Sequence, residues 1–143
     1  SYLAGAMDAD GFISMRKTIV RGSTTFSESV GLGQTSDMIP NILMKLFGGT
    51  INIRNRNKKW KLFYSWTVSN KGAAKLAKIL YPFLKIKKQQ AEILCMLRKS
   101  KDLPASKRRT IRVGVRWLKT NPEIVKHRTA LYLKIKLLNR TGP

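Results

Sequence analysis

Strict alternation of apolar and polar positions dominates the first third of the chain. Ile13, Met15 and Ile19 fall on one side of the run 12–20, and Phe12, Ser14, Arg16 and Thr18 on the other. That is the period of a half-buried strand, with Lys17 breaking the apolar side near its end. Arg21-Gly22-Ser23 carries hairpin-turn chemistry. Residues 24–34 alternate again, Phe26, Val30 and Leu32 facing in and Thr25, Ser27, Ser29 and Gly31 facing out. The period then lengthens. Ser36-Asp37 offers cap oxygens and Pro40 suits a first helical turn. Ile39, Ile42, Leu43, Leu46 and Phe47 form a helical stripe that stops at Gly48-Gly49.

Two more strands are predicted over 50–57 and 60–68. In the first, Ile51 and Ile53 oppose Asn52, Arg54 and Arg56; after a turn at Asn57-Lys58-Lys59, Tyr64, Trp66 and Val68 oppose Lys61, Phe63, Ser65 and Thr67. A helix through Ala73, Leu76, Ala77 and Leu80 reaches Pro82. The segment PFLKIKKQQ then leads into another, with Ala91, Leu94 and Cys95 inward. Ahead of the first strand, residues 1–9 read as a short helix whose Gly5-x-x-x-Ala9 spacing leaves a flat stripe for a second helix backbone. The order helix, two strands, helix, two strands, helix, helix predicts an α+β fold. Its antiparallel sheet carries helices on one face and a polar, basic surface on the other.

The last third is less patterned. Ser100 to Lys107 reads as a linker, and 108–119 suits either a strand (Ile111, Val113, Val115, Trp117) or a helix (Ile111, Val115, Leu118). Asn121-Pro122-Glu123 starts a helix whose stripe is Ile124, Leu131, Ile135 and Leu138.

Charge changes the picture. The 143 residues hold 29 Lys plus Arg against seven Asp plus Glu, a formal net charge of +22. Self-repulsion of that size calls for a polyanion, and nucleic acid is the usual one. Polar side chains at every second strand position can hydrogen-bond base edges in a groove. Arg16, Arg54 and Arg56 suit guanine, with phosphate contact the open alternative for each. The lone Cys95 excludes an internal disulfide and fits a reducing compartment, such as prokaryotic cytoplasm or an organelle matrix. No membrane span, zinc spacing, phosphate-binding glycine loop or catalytic triad is present, and His127 stands alone as a surface or phosphate-neighbouring residue. Against this background, Asp8 and Asp10 stand out at the end of an apolar segment. A helix or turn cap, a partner for a base, or a hard divalent cation would each account for them.

Residues 3–11, LAGAMDADG, resemble the signature of the LAGLIDADG homing endonucleases, matching seven of nine letters with apolar replacements at Ala6 and Met7. The similarity continues through Gln34 ahead of a helix ending in Phe47-Gly48, and through PFLKIKKQQAEIL before the last core helix. It covers residues 1–98. The resemblance implies an αββαββα core over 1–98, its curved four-stranded antiparallel sheet being the DNA-binding face, with a C-terminal helical extension over 99–143 packed on it. One motif without an internal repeat implies a homodimer, with Leu3, Ala4, Gly5, Ala6 and Ala9 at the helix contact.

By position, Asp10 is similar to the metal-binding acid of the family, with the Ala9 backbone carbonyl a second ligand. Gln34 resembles the polar residue that orients active-site water, and Lys87 the basic residue near the cleaved strand. Asp8 reads as a helix-end or turn acid. The implied activity is an Mg²⁺-dependent double-strand break in a long, near-palindromic DNA site, leaving short 3′ overhangs. Mn²⁺ is an alternative metal and Ca²⁺ a non-productive substitute. The DNA-facing side chains are then Ser14, Arg16, Thr18, Thr25, Ser27, Ser29, Asn52, Arg54, Arg56, Lys61, Phe63, Ser65 and Thr67. The expected partners are duplex DNA and a second copy of the chain, with no membrane and no small-molecule substrate, and the chain is expected to be intron-encoded. An RNA-binding intron maturase and a catalytically silent DNA-binding protein are the alternatives on the same scaffold.

Overall fold

Helix α1 (Tyr2–Asp10) runs directly into strand β1 (Gly11–Val20) in a computed structural model that describes residues 2–55, 61–110, 112–114, 116–117 and 119–141. Arg21 and Gly22, both at positive φ, turn the chain in the two-residue hairpin that matches strand twist, and β2 (Ser23–Gln34) returns along the full length of β1. Next come α2 (Met38–Phe47), β3 (Thr50–Arg54), β4 (Phe63–Ser69) and α3 (Asn70–Leu80). A 3₁₀ turn at Tyr81–Phe83 precedes α4 (Lys88–Lys101). The chain closes with α5 (Ala105–Arg108), a small hairpin of β5 (Arg112–Val113) and β6 (Arg116–Trp117), and the long α6 (Pro122–Thr141). The main sheet is antiparallel throughout, in the order β1-β2-β4-β3. The α+β arrangement expected from the pattern is the one observed.

One core lies behind the sheet. Ile13, Met15, Phe26, Val30, Leu32, Trp66 and Val68 project from the strands, and Leu43, Leu76, Leu94, Leu97 and Ile135 meet them from the helices. Burying each such side chain contributes about 1.5–3 kcal/mol. Trp66 anchors the crossing of β4 and α2: it is fully buried, and its indole N–H donates to the Gly48 carbonyl at 2.8 Å. Gly49, at φ +96°, lets the strand pass so close that a Cβ there would strike the Thr67 carbonyl.

Several expectations needed revision. Strands β3 and β4 are shorter than predicted; Arg56 and the Asn57-Lys58-Lys59 turn lie outside the described residues. The linker expected from Ser100 is partly helical, because tertiary contacts hold it. Leu97 and Ser100 are buried, and Arg98 and Lys101 bind Glu28, so α4 continues to Lys101 before the single turn of α5. In 108–119 neither a single strand nor a helix is observed: Arg108 ends α5, and positive-φ Gly114 turns the chain between β5 and β6; Ile111, Val115 and Leu118 fall outside the described residues. Ile19, Ile42, Leu46 and Ile53 satisfy their periods yet are exposed. Among the described residues no helix is long and apolar enough to cross a membrane.

Candidate functional site

The C-terminal end of α1 and the N-terminal end of α4 are tied together reciprocally. The Asp8 carboxylate accepts the backbone N–H groups of Lys85 (2.8 Å), Ile86 (3.2 Å) and Lys87 (2.9 Å). In return the Lys87 ammonium donates to the Met7 carbonyl at 3.0 Å and to the Asp8 carbonyl, two of the last-turn acceptors that a helix end leaves free. Burial works against the Asp8 charge, but three backbone donors and Lys87 outweigh it and hold the carboxyl below its ordinary range. Burial pushes the Lys87 ammonium down, opposed by the charges of Asp8 and Asp10. The helix-end reading of Asp8 matches this geometry.

Asp10 is left exposed at the tip. Its Oδ2 accepts from Gln34 Nε2 at 3.2 Å, so the last residue of β2 meets the last residue of α1 although 24 positions separate them. Asp10, Gln34 and Lys87 are therefore gathered at one end of the sheet, with exposed Ala9 beside them. Among the described residues there is no cluster of three His, Cys, Asp or Glu side chains fit to cage a metal. The donor set present, one exposed carboxylate and a neighbouring backbone carbonyl, suits a hard cation that keeps its waters and draws remaining ligands from phosphate oxygens.

From this end the outer face of the sheet extends in cross-strand rows. Arg16 lies opposite Ser27, Thr18 opposite Thr25, Ser65 between Gly33 and Asn52, and Phe63 opposite Arg54. The rings of Phe12 and Phe63 cover Gly31 and Gly33, where any Cβ would collide with them. Arg16, Thr18, Thr25, Asn52, Arg54 and Lys61 are exposed, and Ser14, Ser27, Phe63, Ser65 and Thr67 are half-buried. Ser29, expected to face a ligand, is 1% exposed: it sits on a central strand between Ser14 and Ser69, and its Oγ has no partner among the described residues.

The helix contact is corrected in the same way. Ala4, expected at a subunit interface, is 0% exposed within its own chain, and Leu3 and Ala6 lean on the core. Tyr2, Gly5 and Ala9 make up the free face of α1. One charged residue escaped the sequence reading altogether. Glu28 is completely buried, chelated by Arg98 through Nε and Nη2 and by Lys101 at 2.9 Å. The available signal was an acid at an inward position of β2, in a chain with only seven.

No protein-family model and no curated protein matches the sequence. Solved structures do. The homing endonuclease I-CvuI, solved with an uncleaved I-CreI target in the presence of 2 mM Mg, has a TM-score of 0.69 at 21% identity, covering 96% of this chain and 79% of its own. The archaeal intron-encoded homing endonuclease I-Vdi141I, complexed with DNA, has a TM-score of 0.71 at 15% identity, covering 96% and 81%. The LAGLIDADG homing endonuclease I-GzeII, with its DNA target, has a TM-score of 0.67 at 12% identity, and there this chain spans only 42% of the longer one. The LAGLIDADG-like end of α1, the β1-β2-β4-β3 sheet and these likenesses converge on one conclusion: the chain has the fold of the LAGLIDADG homing endonucleases.

Proposed function

We propose that the protein is a site-specific endonuclease of duplex DNA, working as a homodimer with a divalent cation. The observation that carries this reading is the convergence of Asp10, Gln34 and Lys87 at the end of a polar and basic sheet face. Asp10 and the Ala9 carbonyl would hold Mg²⁺ or Mn²⁺; Ca²⁺ would take the same oxygens without supporting turnover. When bound, the cation supplies an activated water and charge stabilisation at the leaving oxygen. Gln34, which donates to Asp10, would hold that carboxylate and orient water. Lys87, held by the last turn of α1, keeps a positive charge beside the scissile phosphate. The outer face, led by Arg16 and Arg54, lies along the groove.

The free face of α1 supports the dimer. Tyr2, Gly5 and Ala9 leave room for a second helix to approach backbone to backbone. That pairing would set one Asp10 from each subunit near the other, so the two strands are cut close together, with the short 3′ overhangs that the family resemblance implies. A two-fold protein reads a near-palindromic site.

The test is Asp10→Asn, scored by sequencing cut ends from a randomised duplex library with Mg²⁺. Cleavage falls by about 10³-fold or more while duplex binding persists. Normal cutting by the variant would falsify the assignment of the acid, and preference for structured intron RNA over every duplex would favour a maturase.

A further inference from the structure

At the opposite end of β2 from the acid lies a second charged feature. Ser23 and Gln34 are eleven strand steps apart, about 35 Å at the usual rise per residue. Near Ser23 a cavity of about 560 Å³ opens between the unpaired edge of β2, α3, the end of α4, α5 and α6. Six cations line it: Lys71, Arg98, Lys101, Arg108, Arg109 and Arg128. Among the described residues, two carboxylates answer them. Glu28, buried beneath, is taken up by Arg98 and Lys101, and exposed Asp102 reaches Arg98 at 3.5 Å. Among the described residues, Lys71, Arg108, Arg109 and Arg128 have no ion-pair partner.

Two of those cations, Arg109 and Arg128, are nevertheless held in place. Arg128 donates to the Ser100 hydroxyl at 2.8 Å and to the Ser100 carbonyl at 3.1 Å, and Arg109 donates to the Thr120 hydroxyl at 3.0 Å. Neutral partners fix these guanidinium groups without cancelling their charge. The Nε of Arg108 is buried with no acceptor among the described residues. Burial and the neighbouring Arg108, Arg109 and Arg98 push the Arg128 pKa down against the opposing charge of Glu28, as expected where like charges are crowded by the fold. Crowded guanidinium groups that one buried carboxylate answers only in part make an oxyanion receptor.

We propose that this cavity is a phosphate site, in which Lys71, Arg108, Arg109 and Arg128 bind the oxyanion of a nucleic-acid phosphodiester or of a free phosphate, remote from Asp10. It stands independently of the cleavage reading, since Asp10→Asn leaves every group named here in place.

The test compares the full chain with K71Q/R109Q and with K126Q/K134Q, which removes the same charge from exposed positions of α6. Calorimetric titration with inorganic pyrophosphate at constant ionic strength probes the free anion. Duplex affinity from about 50 to 200 mM salt probes the phosphodiester. Saturable pyrophosphate binding by the native chain, weakened about tenfold or more in K71Q/R109Q alone, identifies a site for free phosphate. A salt slope that falls by about two in K71Q/R109Q, and by less in K126Q/K134Q, identifies a duplex phosphate. Lys71→Gln alone spares the Arg109–Thr120 bond and shows half the effect if the double variant is poorly folded. Indistinguishable behaviour of K71Q/R109Q and K126Q/K134Q in both titrations overturns the proposal.

Discussion

Asp8 and Asp10 are neighbours in sequence but do different work, because two helical steps turn a side chain by about 200°. Asp8 is carried toward α4, where three backbone donors wait; Asp10 is carried to the open end of the sheet. The first is a structural clamp and its contribution depends on pH. Its folded pKa lies below the ordinary value of 3.8, so the clamp is fully present above that value and is lost as pH falls through the depressed one. Asp8→Ala accordingly lowers stability by about 1–2 kcal/mol at neutral pH, a figure discounted for the partial exposure of the carboxylate. In urea titrations of both proteins the gap persists down to about pH 4 and narrows below it. A gap that stays constant to pH 2 would show that Asp8 acts through packing alone.

At the scale of elements, α1 does two things with two faces. Ala4 and Met7 lock it into the core, and Tyr2, Gly5 and Ala9 look outward. A Cβ built on Gly5 meets nothing within 4 Å inside its own chain. Gly5→Leu therefore leaves the subunit folded, and a better helix former stabilises α1 by about 0.5–1 kcal/mol. In the proposed dimer the same side chain stands between two helix backbones. Sedimentation should give twice the chain mass for the native protein and a single chain mass for Gly5→Leu. Retention of the dimer by the variant would place the contact elsewhere.

Over the whole molecule, the C-terminal third is bound into the core that the first two-thirds build. Leu131 and Ile135 of α6 are buried, and Asn139 donates to the Ile13 carbonyl of β1 at 3.0 Å while accepting from Gln90. Glu28, Arg98 and Lys101 close the same unit with a buried charge cluster, which removal of one partner would leave uncompensated. Ile135→Ala should lower stability by about 2–4 kcal/mol. Amide exchange of β1 and β2 reads the outcome: their protection falls by the same amount if the chain unfolds as one unit. Unchanged strand protection would make α6 a separately melting piece.

Hydrophobic period and turn chemistry were enough to establish the element order, the inward residues Ile13, Phe26, Val30, Leu32 and Trp66, and a polar face rich in arginine. Those are local properties, set by side-chain alternation and by the φ that each residue tolerates. The scarcity of acids in so basic a chain drew attention to Asp8 and Asp10 alike, and only the resemblance to the LAGLIDADG signature separated their roles. Only the tertiary structure decided what lies between elements: that Gln34 reaches Asp10, that Asp8 is consumed by Lys85–Lys87, that Ala4 and Ser29 are covered, and that six cations converge on one cavity. Burial and charge pairing depend on which segments meet across long sequence separations, and no local period encodes those meetings.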